Sequence, residues 1–162
     1  MSQPLEPLEV STGLTVLHLF GRLTPAADRA ALTATCEKVT ASGGLLVPVA
    51  VLGHKADLCL MALHADAVVL RRLQSDARLA GIDAVDSYVS VTEISEYAEA
   101  SGVPEAMKQM RLYPKRLPPP GKRAWCFYPM SKRRDPGANW FREEFDQRRK
   151  MMEEHGHSGR AF

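Results

Sequence analysis

The sequence predicts an α+β fold, on three observations. Within residues 1–98, four short apolar runs are rich in β-forming residues, two segments of helical periodicity lie between them, and glycine or proline punctuates most junctions. Residues 1–12 are polar and contain proline, a loose lead-in. Residues 15–20 (TVLHLF) form the first apolar run and predict a strand. Thr24-Pro25 then offers an N-cap followed by proline at the first helical position, so a helix is expected through Cys36 and Val39 to about residue 41, closed by Ser42-Gly43-Gly44. Residues 45–52 and 57–64 are the second and third runs. Gly53-His54-Lys55 turns between them, which predicts a hairpin. Asp66 can cap a second helix, with Val69, Leu70, Leu73 and Leu79 as its apolar stripe up to Gly81. Residues 85–94 (VDSYVSVTEI) alternate and are β-branched, the pattern of a fourth strand.

The resulting order, β-α-β-β-α-β, is the split βαβ of a ferredoxin-like domain, here residues 1–98. Residues 99–124 read as a connector with a helical patch at 104–110, ending in Leu117-Pro118-Pro119-Pro120-Gly121, which cannot continue a helix. Residues 125–130 (WCFYPM) predict another strand and 131–138 a basic loop. A helix is expected from Asn139 to about Glu154, placing Phe141, Phe145, Met152 and His155 on one face with Gly156 just past its end. The segment 125–162 therefore opens a second unit of the same kind, contributing its first strand and helix.

Composition narrows the class. The 162 residues are 45% hydrophobic and 25% charged, as in a folded globular protein rather than a disordered, collagen-like or coiled-coil chain. The longest stretch without formal charge, residues 39–53, is too short to span a bilayer and is broken by Gly43, Gly44 and Pro48. The N-terminal sequence lacks the basic start and apolar run of a secretory signal. Cys36, Cys59 and Cys126 form no CxxC pair and read as reduced, buried thiols of a cytoplasmic protein. The net charge of +2 conceals a division. Residues 1–110 carry 8 Lys/Arg against 13 Asp/Glu, a balance of −5, whereas residues 111–162 carry 13 against 6, a balance of +7. The basic third is either a solvated face or a surface for an anionic partner: nucleic acid, acidic lipid or a multiply carboxylated small molecule.

Chemistry-bearing residues gather in that third. On an extended backbone Tyr128, Met130 and Lys132 share one side, so a phenol, a thioether and an ammonium line one wall with Arg133 and Arg134 behind. The same pattern fits a strand end with a core tyrosine and snorkelling basic residues. His155 follows Met151 and Met152 by one turn. A lone helical histidine caps or packs, or gives a heme iron its one protein ligand, and no multi-histidine zinc spacing accompanies it. Walker A, GxGxxG and GxSxG motifs are missing from the sequence. Tyr113, Trp125, Phe127, Tyr128 and Trp140 among the cations would suit single-stranded nucleic acid, but no recognition-module signature accompanies them.

RLYP (111–114), CFYPMSKRR (126–134), NW (139–140) and RxxMxxHGxxGR (149–160), with GHKADLCLM (53–61) and SYVSVTEISEY (87–97) upstream, resemble the coproheme decarboxylases of the chlorite dismutase superfamily. The resemblance is collinear from about residue 14 to residue 162 and corresponds to the N-terminal two-thirds of the family. It implies two fused ferredoxin-like halves, assembled as a homo-oligomer, usually a pentameric ring; the open edge of the second half leaves completion by a second chain as the alternative. It also implies an oxidoreductase of heme biosynthesis. Two propionates of iron-coproporphyrin III (coproheme) are oxidatively decarboxylated to vinyl groups with hydrogen peroxide, giving heme b. By match to the motifs, Tyr128 would abstract hydrogen from a propionate, Lys132 would hold one in reach, and Arg111 and Tyr113 would bind others. Pro129, Met130, Ser131 and Trp140 would line the pocket, and His155 would ligate the iron. The alternatives are a non-catalytic heme-binding or assembly subunit and, through the same superfamily, chlorite dismutase. Neither a nucleic-acid partner nor a membrane span is expected.

Overall fold

A computed structural model describes residues 6–158 of the chain. The first five residues of the expected lead-in and the Gly159-Arg160 end of the HGxxGR stretch lie outside the described residues. In chain order come β1 (Thr15–Leu23), α1 (Arg29–Ala41), β2 (Leu45–Ala50), β3 (Leu58–His64), α2 (Ala67–Leu79) and β4 (Ile82–Val91). There follow α3 (Glu96–Ala100), α4 (Glu105–Leu112), β5 (Arg134–Asp135), β6 (Ala138–Asn139), a 3-10 turn (Trp140–Arg142) and α5 (Phe145–Ser158). Two compact units result. One comprises Met1–Ile94 with Pro104–Arg123, the other Ser95–Val103 with Ala124–Phe162. The segment 99–124, expected to be a connector, is thus shared between them.

The first unit has the predicted ferredoxin-like topology, an antiparallel sheet in the order β2-β3-β1-β4. Register explains its core. Leu19 stands opposite Leu60 and Leu17 opposite Ala62, so alternate residues of the two central strands present one continuous apolar face. Val39 of α1 and Leu70, Leu73 and Ala77 of α2 pack there, joined by Ile82. Full burial of one such leucine contributes about 1.5–3 kcal/mol. Pro48 sits in the edge strand β2, where a missing N–H breaks no central ladder. Gly81 takes φ +85° after α2, and a Cβ there would lie 2.6 Å from Ala27 Cα.

Three expectations within this unit are corrected. Helix α1 begins at Arg29, capped by Asp28, whose Oδ1 accepts from the Ala30 and Ala31 amides at 2.8 and 3.0 Å. Thr24 instead donates its hydroxyl to the Gly81 carbonyl at 2.8 Å, so Thr24-Pro25 makes a turn bound to the end of α2. Leu79 leaves the apolar stripe and is 88% exposed, because it follows Ala77 by two residues and points nearly the opposite way around the helix. The residues before β1 are not wholly loose: the Leu8 amide donates to Asp66 Oδ1 at 2.9 Å and the Leu8 carbonyl accepts from Ala67 at 2.8 Å.

The second unit departs further from expectation. Residues 125–130 form no strand, because no neighbouring segment among the described residues supplies a ladder and Pro129 lacks an amide donor. The only sheet here among the described residues is the two-residue pair β5–β6. The helix expected from Asn139 starts at Phe145: Asn139 Oδ1 accepts from the Phe141 amide at 3.0 Å and caps a 3-10 turn, and extended Glu143 (φ −71°, ψ 142°) interrupts the spiral. Phe141 is therefore off the α5 face and exposed, and α5 runs through Gly156 to Ser158. Cys59 is buried and Cys36 half-buried, but Cys126 lies exposed in the strandless run. Among the described residues no helix is long and apolar enough to cross a membrane.

Candidate functional site

The expected site residues divide between the units. Arg111, in the last turn of α4, and Tyr113, its C-cap, belong to the first. Thr92 fixes that helix end: its hydroxyl donates to the Leu112 carbonyl at 2.7 Å and accepts from the Leu14 amide at 2.8 Å. Tyr113 Oη accepts from the Gly13 amide at 3.0 Å. A phenol that accepts from an amide keeps its own proton for donation to an anion, and the received bond polarises it. Arg111 is exposed beside it in sequence.

The second unit carries Tyr128, Pro129, Met130, Ser131, Lys132, Trp140 and His155. Tyr128 is 65% and Met130 68% exposed in the strandless run. Trp125 and Phe127 stack at 5.6 Å with an interplanar angle of 9°, as residues two apart do on extended backbone. Beyond Phe127 no ladder among the described residues holds the backbone extended through Lys132.

What the fold assembles is a seat for Lys132. Its Nζ lies 4.1 Å from the centroid of the Trp140 ring and 3.7 Å from Met152 Sδ. Ring quadrupole and thioether both attract the ammonium while leaving it room for a carboxylate. Met152 precedes His155 by three residues on α5, so Lys132 and the candidate iron ligand are connected through one helix face. The His155 imidazole is exposed. One accessible imidazole, a thioether and a seated cation suit an anionic iron porphyrin better than a hydrolytic metal centre, which needs several protein ligands.

A layer behind Trp140 was not anticipated. Tyr97 of α3 meets the Trp140 ring edge-on (6.3 Å, 78°) and stacks on Phe145 (5.6 Å, 12°). Arg148 Nη1 donates to Tyr97 Oη at 3.0 Å and to Glu96 Oε1 at 2.6 Å. Lost hydration first, then the bond to Glu96, push the Tyr97 phenol above its ordinary pKa, against the opposing pull of Arg148. The available sequence signal was the three- and four-residue spacing of Phe145, Arg148 and Met152, together with the tyrosine ending SYVSVTEISEY.

Known proteins resemble the chain over most of its length. The family model described as chlorite dismutase matches residues 26–162. A candidate heme-binding protein of Natronomonas pharaonis is 41% identical over 128 residues, 69% of this chain and 20% of that protein. A second, of Haloarcula marismortui, is 35% identical over 128 residues, again 69% of this chain and 18% of that protein. The chain thus spans about a fifth of the length of the curated relatives it matches. Among solved structures, a heme-binding protein from Thermus thermophilus superposes with a TM-score of 0.68 at 26% identity, covering 98% of this chain and 69% of that one.

Proposed function

The chain belongs to the chlorite dismutase family, and from that premise we propose that it binds an iron porphyrin and takes part in the peroxide-dependent decarboxylation of coproheme to heme b. Each turnover removes one propionate: the propionate, one hydrogen peroxide and one proton give a vinyl group, carbon dioxide and two waters. The iron of the substrate supplies the oxidising power drawn from peroxide. Tyr128 is assigned hydrogen-atom abstraction from the propionate side chain, and its exposure leaves the phenol accessible to that group. Lys132 pairs with the carboxylate and limits its wandering, which is worth most when the reacting atoms are already close. Arg111 and the Tyr113 hydroxyl hold further propionates, His155 faces the iron, and Pro129, Met130, Ser131 and Trp140 border the macrocycle.

The observation that carries this reading is the seated Lys132 ammonium, coupled through Met152 to the helix face of His155 within the segment of balance +7. Four carboxylates are what such a segment attracts. The three free cysteines suit a reducing cytoplasm. The decisive test is coproheme titration followed by peroxide, with product masses read after chromatography. Loss of two carboxyl groups is expected from the wild type, and Tyr128→Phe should bind coproheme without yielding heme b. Full conversion by that variant would remove Tyr128 from the mechanism.

A second reading is a non-catalytic heme-binding or assembly subunit completed by another chain. The exposed Tyr128 and Met130, in a stretch outside any strand, favour it, since a partner chain could cover them. Light scattering during size exclusion separates the two: a ring active alone supports the enzyme, and a monomer that binds heme without turnover supports the subunit.

A further inference from the structure

We propose that Tyr97 is a positioning residue for the Lys132 ammonium, acting through the Trp140 ring; the proposal deepens the coproheme reading and rests on it for its effect on binding. A lysine on four rotatable bonds offers a carboxylate no fixed geometry unless something holds its end. Here the holder is the Trp140 face, 4.1 Å from Nζ. Trp140 is itself poorly supported by its own backbone, which is a three-residue 3-10 turn following a two-residue β-pair. Its ring needs a wall, and Tyr97 supplies one edge-on at 6.3 Å and 78°.

Tyr97 is fixed on both flanks. Phe145 stacks almost parallel to it, at 5.6 Å and 12°. Arg148 holds the phenol at 3.0 Å, carries its guanidinium 5.9 Å from the Tyr97 ring centroid, and pairs with Glu96, the neighbour of Tyr97 on α3. Arg148 is largely buried, with 19% of its side chain exposed, so this grip is better shielded than a surface pair. The chain of contact runs from Glu96 and Arg148 to Tyr97, then Trp140, then Lys132, and returns to α5 through Met152 at 3.7 Å. Phe145, Arg148 and Met152 recur on one face of α5, so a single helix sets both the wall behind Trp140 and the sulfur beside Lys132.

The test uses the full chain and reads Lys132 directly. The Trp140 ring current should hold the Lys132 Hε protons upfield in the NMR spectrum of the wild type. Tyr97→Leu should move them toward the values of a free lysine, and Tyr97→Phe, which keeps the ring, should retain most of the upfield shift. Coproheme affinity should fall about two- to fivefold in Tyr97→Leu, the range of a lost cation–π seat, and should not fall further when Tyr97→Leu is added to Lys132→Ala. Unmoved Lys132 signals in a folded Tyr97→Leu, or an equal affinity loss in the Lys132→Ala background, would overturn the proposal. Should Tyr97→Leu not fold, Arg148→Gln makes the same test by loosening the phenol and both rings, and an unmoved signal there overturns it too. If the signals move as expected but the wild type neither binds nor decarboxylates coproheme, the coproheme reading falls while the Tyr97 seat stands.

Discussion

The two compact units hold their residues by different physics. In the first, Leu19, Leu60 and Leu73 are fully buried and each lies in a register that ladders or helix spacing dictate. In the second, Tyr128, Met130 and Phe141 are exposed, and the residues of most chemical interest are fixed by ring, sulfur and ion contacts. Contacts of the second kind contribute about 0.5–1.5 kcal/mol each, a fraction of what a buried leucine does. Burial and the proposed chemistry are thereby kept apart: the residues proposed to meet a ligand are not those whose loss would unfold the sheet. A substitution can therefore report on one property without disturbing the other.

The sharpest way to test that separation is Leu60→Ala. Its side chain is 1% exposed between the helices and β1, so truncation should cost about 2–5 kcal/mol in urea unfolding. A loss below about 1 kcal/mol would mean that the core is not where the sheet places it. A smaller effect, about 1 kcal/mol, is expected for Asp28→Ala, which strips α1 of the acceptor for two amides. Thr24→Val should remove the Gly81 bond yet leave the helical signal of α1 unchanged, and a greater loss of helicity there than at Asp28 would restore Thr24 as the cap.

This contrast also explains what the sequence made legible. The four strands and two helices of the first unit, and their order, follow from local patterns: the apolar run TVLHLF, alternation in VDSYVSVTEI, capping chemistry at Asp66, glycine at 43, 44 and 81. Thr24 and Asp28 are both competent caps, and only the carbonyl of Gly81, distant in sequence, decides between them. Residues 125–130 have strand composition, but a strand exists only through a partner, which composition does not supply. The candidate site was legible as a list of residue types and not as an assembly. Lys132, Trp140 and Met152 carried recognisable chemistry; of their supports, Phe145 and Arg148 share the α5 spacing with Met152, whereas Tyr97 comes from α3, a separated segment that this periodicity does not reach.

Acid titration probes a carboxylate of the first unit. The Leu8 amide first, with the Val68 amide and the nearby charges of His64 and Arg72, holds the Asp66 carboxyl below its ordinary pKa, against a partial opposing push from lost hydration. A depressed folded pKa stabilises the protein above the unfolded carboxylate range, near about pH 4, and that contribution is lost as pH falls through the folded value. Asp66→Asn keeps an oxygen for both amides but does not titrate there. The melting-temperature advantage of the wild type over Asp66→Asn should shrink as the pH drops below about 4. A difference that stays constant through that range would remove Asp66 from the acid response.

The smallest expected change in stability is at Lys132. Its ammonium touches one ring face and one sulfur, so Lys132→Ala should alter unfolding free energy by no more than about 1 kcal/mol, well under the loss at Leu60. Its effect on recognition should be of another order. Wild-type protein should prefer coproheme to its tetramethyl ester, in which the four carboxylates no longer carry charge, and Lys132→Ala should narrow that preference while leaving affinity for the ester nearly unchanged. The ester isolates the charge from the macrocycle, which bare affinity does not. A stable variant with unaltered preference would make Lys132 a surface charge that happens to lie on a tryptophan. A variant that unfolds would show the opposite, that the ring contacts of the second unit do the structural task that leucines perform in the first.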